Sequence, residues 1–328
     1  TADIPLRVGI LSVAHMHVWG YADGFKEHPD VEVVGVWDEV PERLAKFAES
    51  FAIPAVESID ELLGQSDAVV ICSENTKHVG LAEKAAERGV DILCEKPLVT
   101  NEADAQAMLR IAEKVKVMTA FPCRYSPAFT RLRERVKAGE IGPIKAVCAT
   151  NRGRCPFDWF VEKPLSGGGA MIDHTVHVSD LLRVLLGEEP VRVQAQTGNN
   201  MYHKDWDDTA MLTIEFPSGI FATLDSSWSR HAGFKTWGDV TMNVVGENGL
   251  IELNMFGQEI DKYADGPVTH TLGGYGSNLD AAMVDDFVRA CIEKRPTPIT
   301  AFDGVQAARV AIAGYESAAS GQPVALMG

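Results

Sequence analysis

Through residue 120 the chain alternates short apolar runs with segments of helical periodicity, and this rhythm narrows what its first part can fold into. Strands are expected at 6–11, 31–37, 68–72, 91–94 and 115–120, with helices at 18–27, 41–50, 76–88 and 102–113. Pro41 stands at a favoured first-turn position, and Gly89 follows the third helix as a stop signal. Strand and helix in regular alternation imply a parallel sheet with helices on both faces. Both faces of such strands are covered, which explains their nearly continuous apolar composition.

After Pro122 the pattern changes. A helix is expected at 127–138 and a strand at 144–150, and Gly167-Gly168-Gly169 precedes a helix at 172–186 that Gly187 ends. From 191 to 253 strands and tight turns dominate, with hairpin turns at Pro217-Ser218-Gly219 and Glu247-Asn248-Gly249. Helices at 277–293 and 302–320 close the chain. The expected fold class is therefore α/β: a doubly wound parallel sheet over 1–122, then an α+β domain over 123–328 with a large, mostly antiparallel open sheet. A length of 328 residues suits two cores better than one.

The formal net charge of −16 argues against a nucleic-acid surface, which needs clustered Lys and Arg. The six cysteines include no Cys-x-x-Cys pair, so no zinc ribbon or redox motif is expected. Cys72 and Cys94 lie in apolar strand runs and read as buried free thiols of a reducing compartment. There is no run of 18 apolar residues, so no membrane span is expected. Residues 1–5 lack a basic stretch followed by an apolar core, so no signal peptide is expected and the location is read as cytoplasmic.

The first strand-to-helix turn, Gly9-Ile10-Leu11-Ser12-Val13-Ala14-His15-Met16-His17, is where a dinucleotide-binding sheet usually carries Gly-x-Gly-x-x-Gly. The matching positions are Ser12, Ala14 and His17: two are small, none is glycine. Asp38 ends the second strand, where a carboxylate can bind the ribose hydroxyls of NAD and repel the 2′-phosphate of NADP; the alternative is that it caps the helix opening near Pro41. His15 and His17 also fit the His-x-His opening of some metal-dependent hydrolases. Only Glu95 supplies a ligand-type residue at a later strand end, so no metal is expected.

Glu95-Lys96-Pro97 follows the fourth strand, at the end where α/β sheets place their ligands. A lysine there can hydrogen-bond a reacting oxygen, or else be an ordinary surface residue before a proline. Asp173 and His177 lie four apart at a helix start and so share one face. A histidine can accept an alcohol proton near neutral pH, and Asp173 could orient it or hold substrate; the alternative is a capping Asp and a half-buried His.

Lys96 within Leu93-Cys94-Glu95-Lys96-Pro97, with Gly-Gly-Gly followed by Asp173-x-x-x-His177, resembles the Gfo/Idh/MocA oxidoreductases, the glucose-fructose oxidoreductase and inositol dehydrogenase family. Arg124-Tyr125-x-Pro127, Gly139-x-Ile141-Gly142 and Gly246-x-x-Gly249 extend the resemblance along most of the chain. It implies a Rossmann domain and a sheet domain that often mediates homodimers or homotetramers, a nicotinamide cofactor (NAD, with NADP as the alternative), and a sugar, polyol or related hydroxy or keto substrate. Lys96, Asp173 and His177 would be the catalytic group. Ser12, Ala14, His15, His17, Asp38, Ser73, Asn75, His78, Glu95 and Lys96 would line the cofactor, with Arg124 joining the catalytic three at the substrate. The departure from the family pattern is the glycine-free turn. Other functions to weigh are an NAD-using lyase or glycosidase without net redox, a cofactor or sugar sensor without catalysis, and the His15/His17 metal hydrolase.

Overall fold

The computed structural model describes residues 4–274 and 276–326. Residues 1–3, on which the absence of a signal peptide was partly read, lie outside the described residues. In chain order the elements are β1 (Leu6–Leu11), α1 (Val18–Glu27), β2 (Val31–Trp37), α2 (Pro41–Phe51), α3 (Ile59–Gln65), β3 (Ala68–Ile71), α4 (His78–Glu87), β4 (Asp91–Cys94), α5 (Glu102–Ala112) and β5 (Val117–Thr119). There follow α6 (Pro127–Lys137), β6 (Ile144–Arg152), α7 (Lys163–Ser166), α8 (Ala170–Leu186), β7 (Arg192–Gly198), β8 (Thr209–Glu215), β9 (Phe221–Ser227), β10 (Thr241–Gly246) and β11 (Leu250–Asn254). The last are β12 (Glu259–Tyr263), β13 (His270–Gly274), α9 (Leu279–Ile292), α10 (Ala301–Ser320) and β14 (Val324–Ala325).

Two compact units form. The first holds Thr1–Pro122 together with Asp158–Gly168 and Leu279–Ile312; the second holds Cys123–Phe157, Gly169–Asn278 and Ala313–Gly328. In the first, five parallel strands pair in the order β2-β1-β3-β4-β5. Every residue of β3 is buried, as a strand covered on both faces requires. The order reverses between β1 and β3, the crevice where open α/β sheets take ligands beyond their strand ends. Helix α3 was not foreseen. Its seven residues are too few to show a period, but Ser58 Oγ accepts from the Glu61 amide as a regular N-cap.

In the second unit seven strands pair in the order β11-β10-β6-β9-β8-β7-β14, all antiparallel except β6 with β9. The strands alternate buried and open residues, and α8 packs on the buried side against β6, β8 and β9. The two glycine pairs noted in the sequence meet here: the amides of Glu247 and Asn248 donate to Pro143 and Ile141, joining the turn before β6 to the β10–β11 hairpin. The β12–β13 hairpin and the two-residue β14 lie beyond the stretch in which strands were expected.

Helix α8 opens on Gly169, which has no side chain with which to cap it. The cap comes from the β7–β8 loop instead. Asp207 accepts from the amides of Gly169 (3.0 Å) and Met171 (2.8 Å) and from the Tyr315 hydroxyl (3.0 Å), while that hydroxyl accepts from Gly169 and Ile172. A Cβ on Gly169 would lie 2.2 Å from the Asp207 carbonyl oxygen, so this approach excludes any other residue there.

Candidate active site

The first unit presents the β1–α1 turn. Ser12 stands where the first fingerprint glycine is usual, and it keeps a glycine-like backbone with φ of 75°. Its hydroxyl donates to Asp38 Oδ2 (3.0 Å), beside the Val13 amide (2.7 Å). Asp38 Oδ1 accepts from the Val40 amide (2.8 Å) and Arg43 Nε (2.9 Å), and the Asp38 side chain is fully buried. The capping alternative does not form, since α2 opens on Val40 without a side-chain cap; a ribose hydroxyl would have to share this network. Arg43 also reaches Glu74, at 3.4 Å.

The amides of the turn mostly point at protein acceptors. Ser12 donates to Trp37, His15 to Cys72, His17 to His15 Nδ1 (3.2 Å) and Val18 to the His15 carbonyl. Over the turn lies a segment from the middle of the chain that belongs to the same unit. Trp159 Nε1 donates to the Ala14 carbonyl (3.1 Å), and His15 meets Trp159 and Phe160 edge-on. No local pattern in the sequence places Trp159 here.

At the end of β4, Glu95 is wholly buried and accepts from His17 Nδ1 at 3.0 Å, with His15 Nε2 at 3.9 Å. Burial alone would raise its pKa, but the neighbouring His15, His17 and Lys96, with the hydrogen bond from His17, more than offset that and hold it well below the usual carboxylate range. Asp280, from the first turn of α9, joins the group. Burial raises its carboxyl, the nearby Glu95 adds to that, and His17 opposes both. Its carboxylate fills the space beside Gly20, where a Cβ would sit 2.5 Å from Oδ2. Burial, with Glu95 and Asp280 close by, likewise lifts the Tyr21 hydroxyl well above its ordinary range. The sequence carries no local sign that Asp280 returns to this turn.

Ser73, Asn75 and His78 follow β3 and are buried. Asn75 donates to the Ser166 carbonyl (2.9 Å), and its Oδ1 has no hydrogen-bond partner. His78 faces the Leu98 carbonyl (3.2 Å), and burial lowers its pKa. Lys96 is 3% exposed and precedes a cis proline, Pro97.

The second unit carries Asp173 and His177 one turn apart on α8. Trp228 Nε1 donates to Asp173 Oδ2 (3.0 Å), and His174 Nε2 lies 3.2 Å from the same oxygen while its Nδ1 faces the Asn151 carbonyl (2.8 Å). Asp173 is thereby fixed in place, by two residues the sequence did not assign to it. His177 Nδ1 lies 3.9 Å from Cys123 Sγ. Arg124 forms a two-pronged pair with the buried Asp180, both contacts at 2.7 Å.

The family profile described as the oxidoreductase family, NAD-binding Rossmann fold, matches residues 8–121, and that of the GFO/IDH/MocA C-terminal domain matches 129–252. The chain belongs to the Gfo/Idh/MocA oxidoreductase family. It is 30% identical to an inositol 2-dehydrogenase of Rhizobium meliloti (strain 1021) over 243 residues, 70% of each chain. It is 29% identical to a myo-inositol 2-dehydrogenase of Thermotoga maritima over 259 residues, 75% of this chain and 74% of that one. The crystal structure of GenD2 from gentamicin A biosynthesis, in complex with NAD, superposes with a TM-score of 0.89 at 25% identity, covering 100% of this chain and 98% of that one.

The Rossmann unit of this Gfo/Idh/MocA member is an NAD-binding fold, and its residues fit the group. The turn lies at the strand-order reversal, and buried acceptors without partners, Asn75 Oδ1 and Glu95 Oε2, stand after the neighbouring strands. His15, His17 and Glu95 also bring ligand-type atoms within 4.8 Å of one another. The hydrogen bonds oppose a metal there. His15 Nδ1 accepts an amide proton, which leaves the ring proton on Nε2, the nitrogen that faces Glu95. Among the described residues no helix is long and apolar enough to cross a membrane.

Proposed function

We propose that this oxidoreductase interconverts a secondary alcohol and a ketone on a sugar, polyol or related small molecule, with NAD in preference to NADP. The observation that carries the reading is the Asp173 carboxylate, held by Trp228 and His174 one helical turn before His177. A bound nicotinamide supplies the hydride chemistry. The chain's own residues hold and move the proton. His177 accepts the hydroxyl proton in the oxidation direction, Lys96 hydrogen-bonds the same oxygen as negative charge develops, and Asp173 positions substrate and His177. Ser12, Ala14, His15, His17, Asp38, Ser73, Asn75, His78, Glu95 and Lys96 line the cofactor. The preference for NAD rests on the Asp38 carboxylate, joined by Glu74 through Arg43. Arg124 acts beside the substrate through its pair with Asp180. The open side of the seven-stranded sheet exposes Met211, Phe221 and Val245, which suits assembly as a homodimer or homotetramer.

The test is a panel of cyclic and open-chain polyols and sugars with NAD, run on the wild type and on Lys96→Ala. Lys96→Ala should lower turnover by about a hundredfold or more while NADH binding stays within a few-fold. Turnover equal to wild type would remove Lys96 from the reaction. NADH formation by the wild type separates a net oxidation from a lyase or glycosidase that uses its cofactor transiently.

A further inference from the structure

The turn that should receive a diphosphate lacks its glycines and has directed most of its amides inward. The amides of Ser12, Val13, His15, His17 and Val18 all have protein acceptors. A diphosphate still needs a donor in this place, and His17 stands where it can supply one. His17 is the N-cap residue of α1, its side chain is 37% exposed, and α1 has no acidic residue in its first turn.

The ring is not free to choose its tautomer. Nδ1 lies 3.0 Å from Glu95 Oε1, and a carboxylate can only accept, so Nδ1 carries the proton and donates. Neutral His17 therefore presents a lone pair at Nε2, which repels a phosphate oxygen. Only the imidazolium presents an N–H there.

We propose that His17 replaces the fingerprint glycines as the diphosphate contact: with Nδ1 committed to Glu95, its Nε2–H exists only in the imidazolium form, so cofactor binding takes up a proton. The inference rests on the cofactor reading above. The proton comes from solvent, moves to Nε2, and is released again when the dinucleotide leaves. Several charged or titratable groups face the ring. Glu95 at the end of β4 and Asp280 on α9 are the carboxylates beside it. His15 in the turn and Lys96 beside Glu95 are the basic groups nearby, and the Tyr21 ring on α1 lies tilted to it with centroids 6.1 Å apart. A carboxylate, an imidazolium and a diphosphate in series give the anion a charge-assisted donor that a glycine turn lacks.

The experiment is calorimetric titration of the whole protein with NADH between pH 6.5 and 9, in buffers of different ionisation heat. The expected result is uptake approaching one proton per site at the alkaline end. The dissociation constant should rise there by up to about tenfold per pH unit. His17→Gln offers a neutral donor that needs no proton. It should bind NADH with little pH dependence and no uptake, while His17→Ala should bind about ten- to a hundredfold more weakly near pH 7. A wild-type affinity that does not change with pH, or uptake that persists in His17→Gln, overturns the proposal and leaves the cofactor reading standing. No NADH binding at any pH overturns both. Stoichiometric binding of Zn²⁺ that His17→Gln abolishes, with NADH affinity independent of pH, assigns the cluster to a metal instead.

Discussion

Asp207 is the residue whose loss should show most directly that the helix carrying Asp173 and His177 is built from outside itself. In Asp207→Ala the Met171 amide and the Tyr315 hydroxyl lose their acceptor, and the Gly169 amide keeps only the Tyr315 oxygen. Losing a helix N-cap carboxylate costs about 1 kcal/mol, within a range of roughly 0.5–2. A partly buried hydroxyl left without its acceptor adds about 1 kcal/mol or more. The expected total is about 2–3 kcal/mol, and at roughly 2–4 °C per kcal/mol the thermal midpoint should fall by about 5–10 °C. Asp207→Asn keeps one acceptor oxygen and should fall by about half as much. Calorimetry gives the midpoint. NADH titration and turnover then separate the units, because the capped helix belongs to the second and the dinucleotide turn to the first. Binding should persist while turnover drops. A midpoint within about 1 °C of wild type, with unchanged turnover, would refute the assignment of Asp207 as the cap.

Other substitutions test the first unit. Ser12 holds a left-handed backbone while its hydroxyl donates to Asp38, so Ser12→Gly exchanges about 1 kcal/mol of relieved strain for a hydrogen bond of similar worth. Ser12→Ala keeps the strain and loses the bond, so in urea unfolding it should be the less stable of the two by about 1 kcal/mol; equal midpoints would discount the strain. Asp280 has its carboxyl raised by burial beside Glu95, so the folded state disfavours its ionised form. Its contribution to stability is full below the ordinary carboxylate range and is lost as pH rises through the raised value. Asp280→Asn should therefore be more stable than wild type at pH 8, with the gain shrinking toward pH 4. A gain that is the same at both pH values would rule out the charge as its source.

Much of the fold was legible because its determinants are local. Alternating apolar runs, Pro41 at a helix start and Gly187 at a helix end announce elements whose causes lie within a few residues. Lys96 after a parallel strand and Asp173 four residues before His177 could be named because topology and helical period fix where such residues stand. The seven residues of α3 and the two of β14 were too short to leave a period.

What the sequence by itself determined is the order of strands and helices, the change of architecture after Pro122, and the residue types offered at each strand end. Only the tertiary structure decided who meets whom. It drew Asp158–Gly168 and Leu279–Ile312 into the first unit, packing Trp159 on the turn and setting Asp280 beside Glu95. It put Asp207 on the amides of α8 and Trp228 on Asp173. It also turned His17 Nδ1 toward a buried carboxylate. The physical reason is that a buried charge or an open helix end must find a partner, and the chain can bring one from any sequence distance. Periodicity records which residues face inward and is silent about the residues they meet.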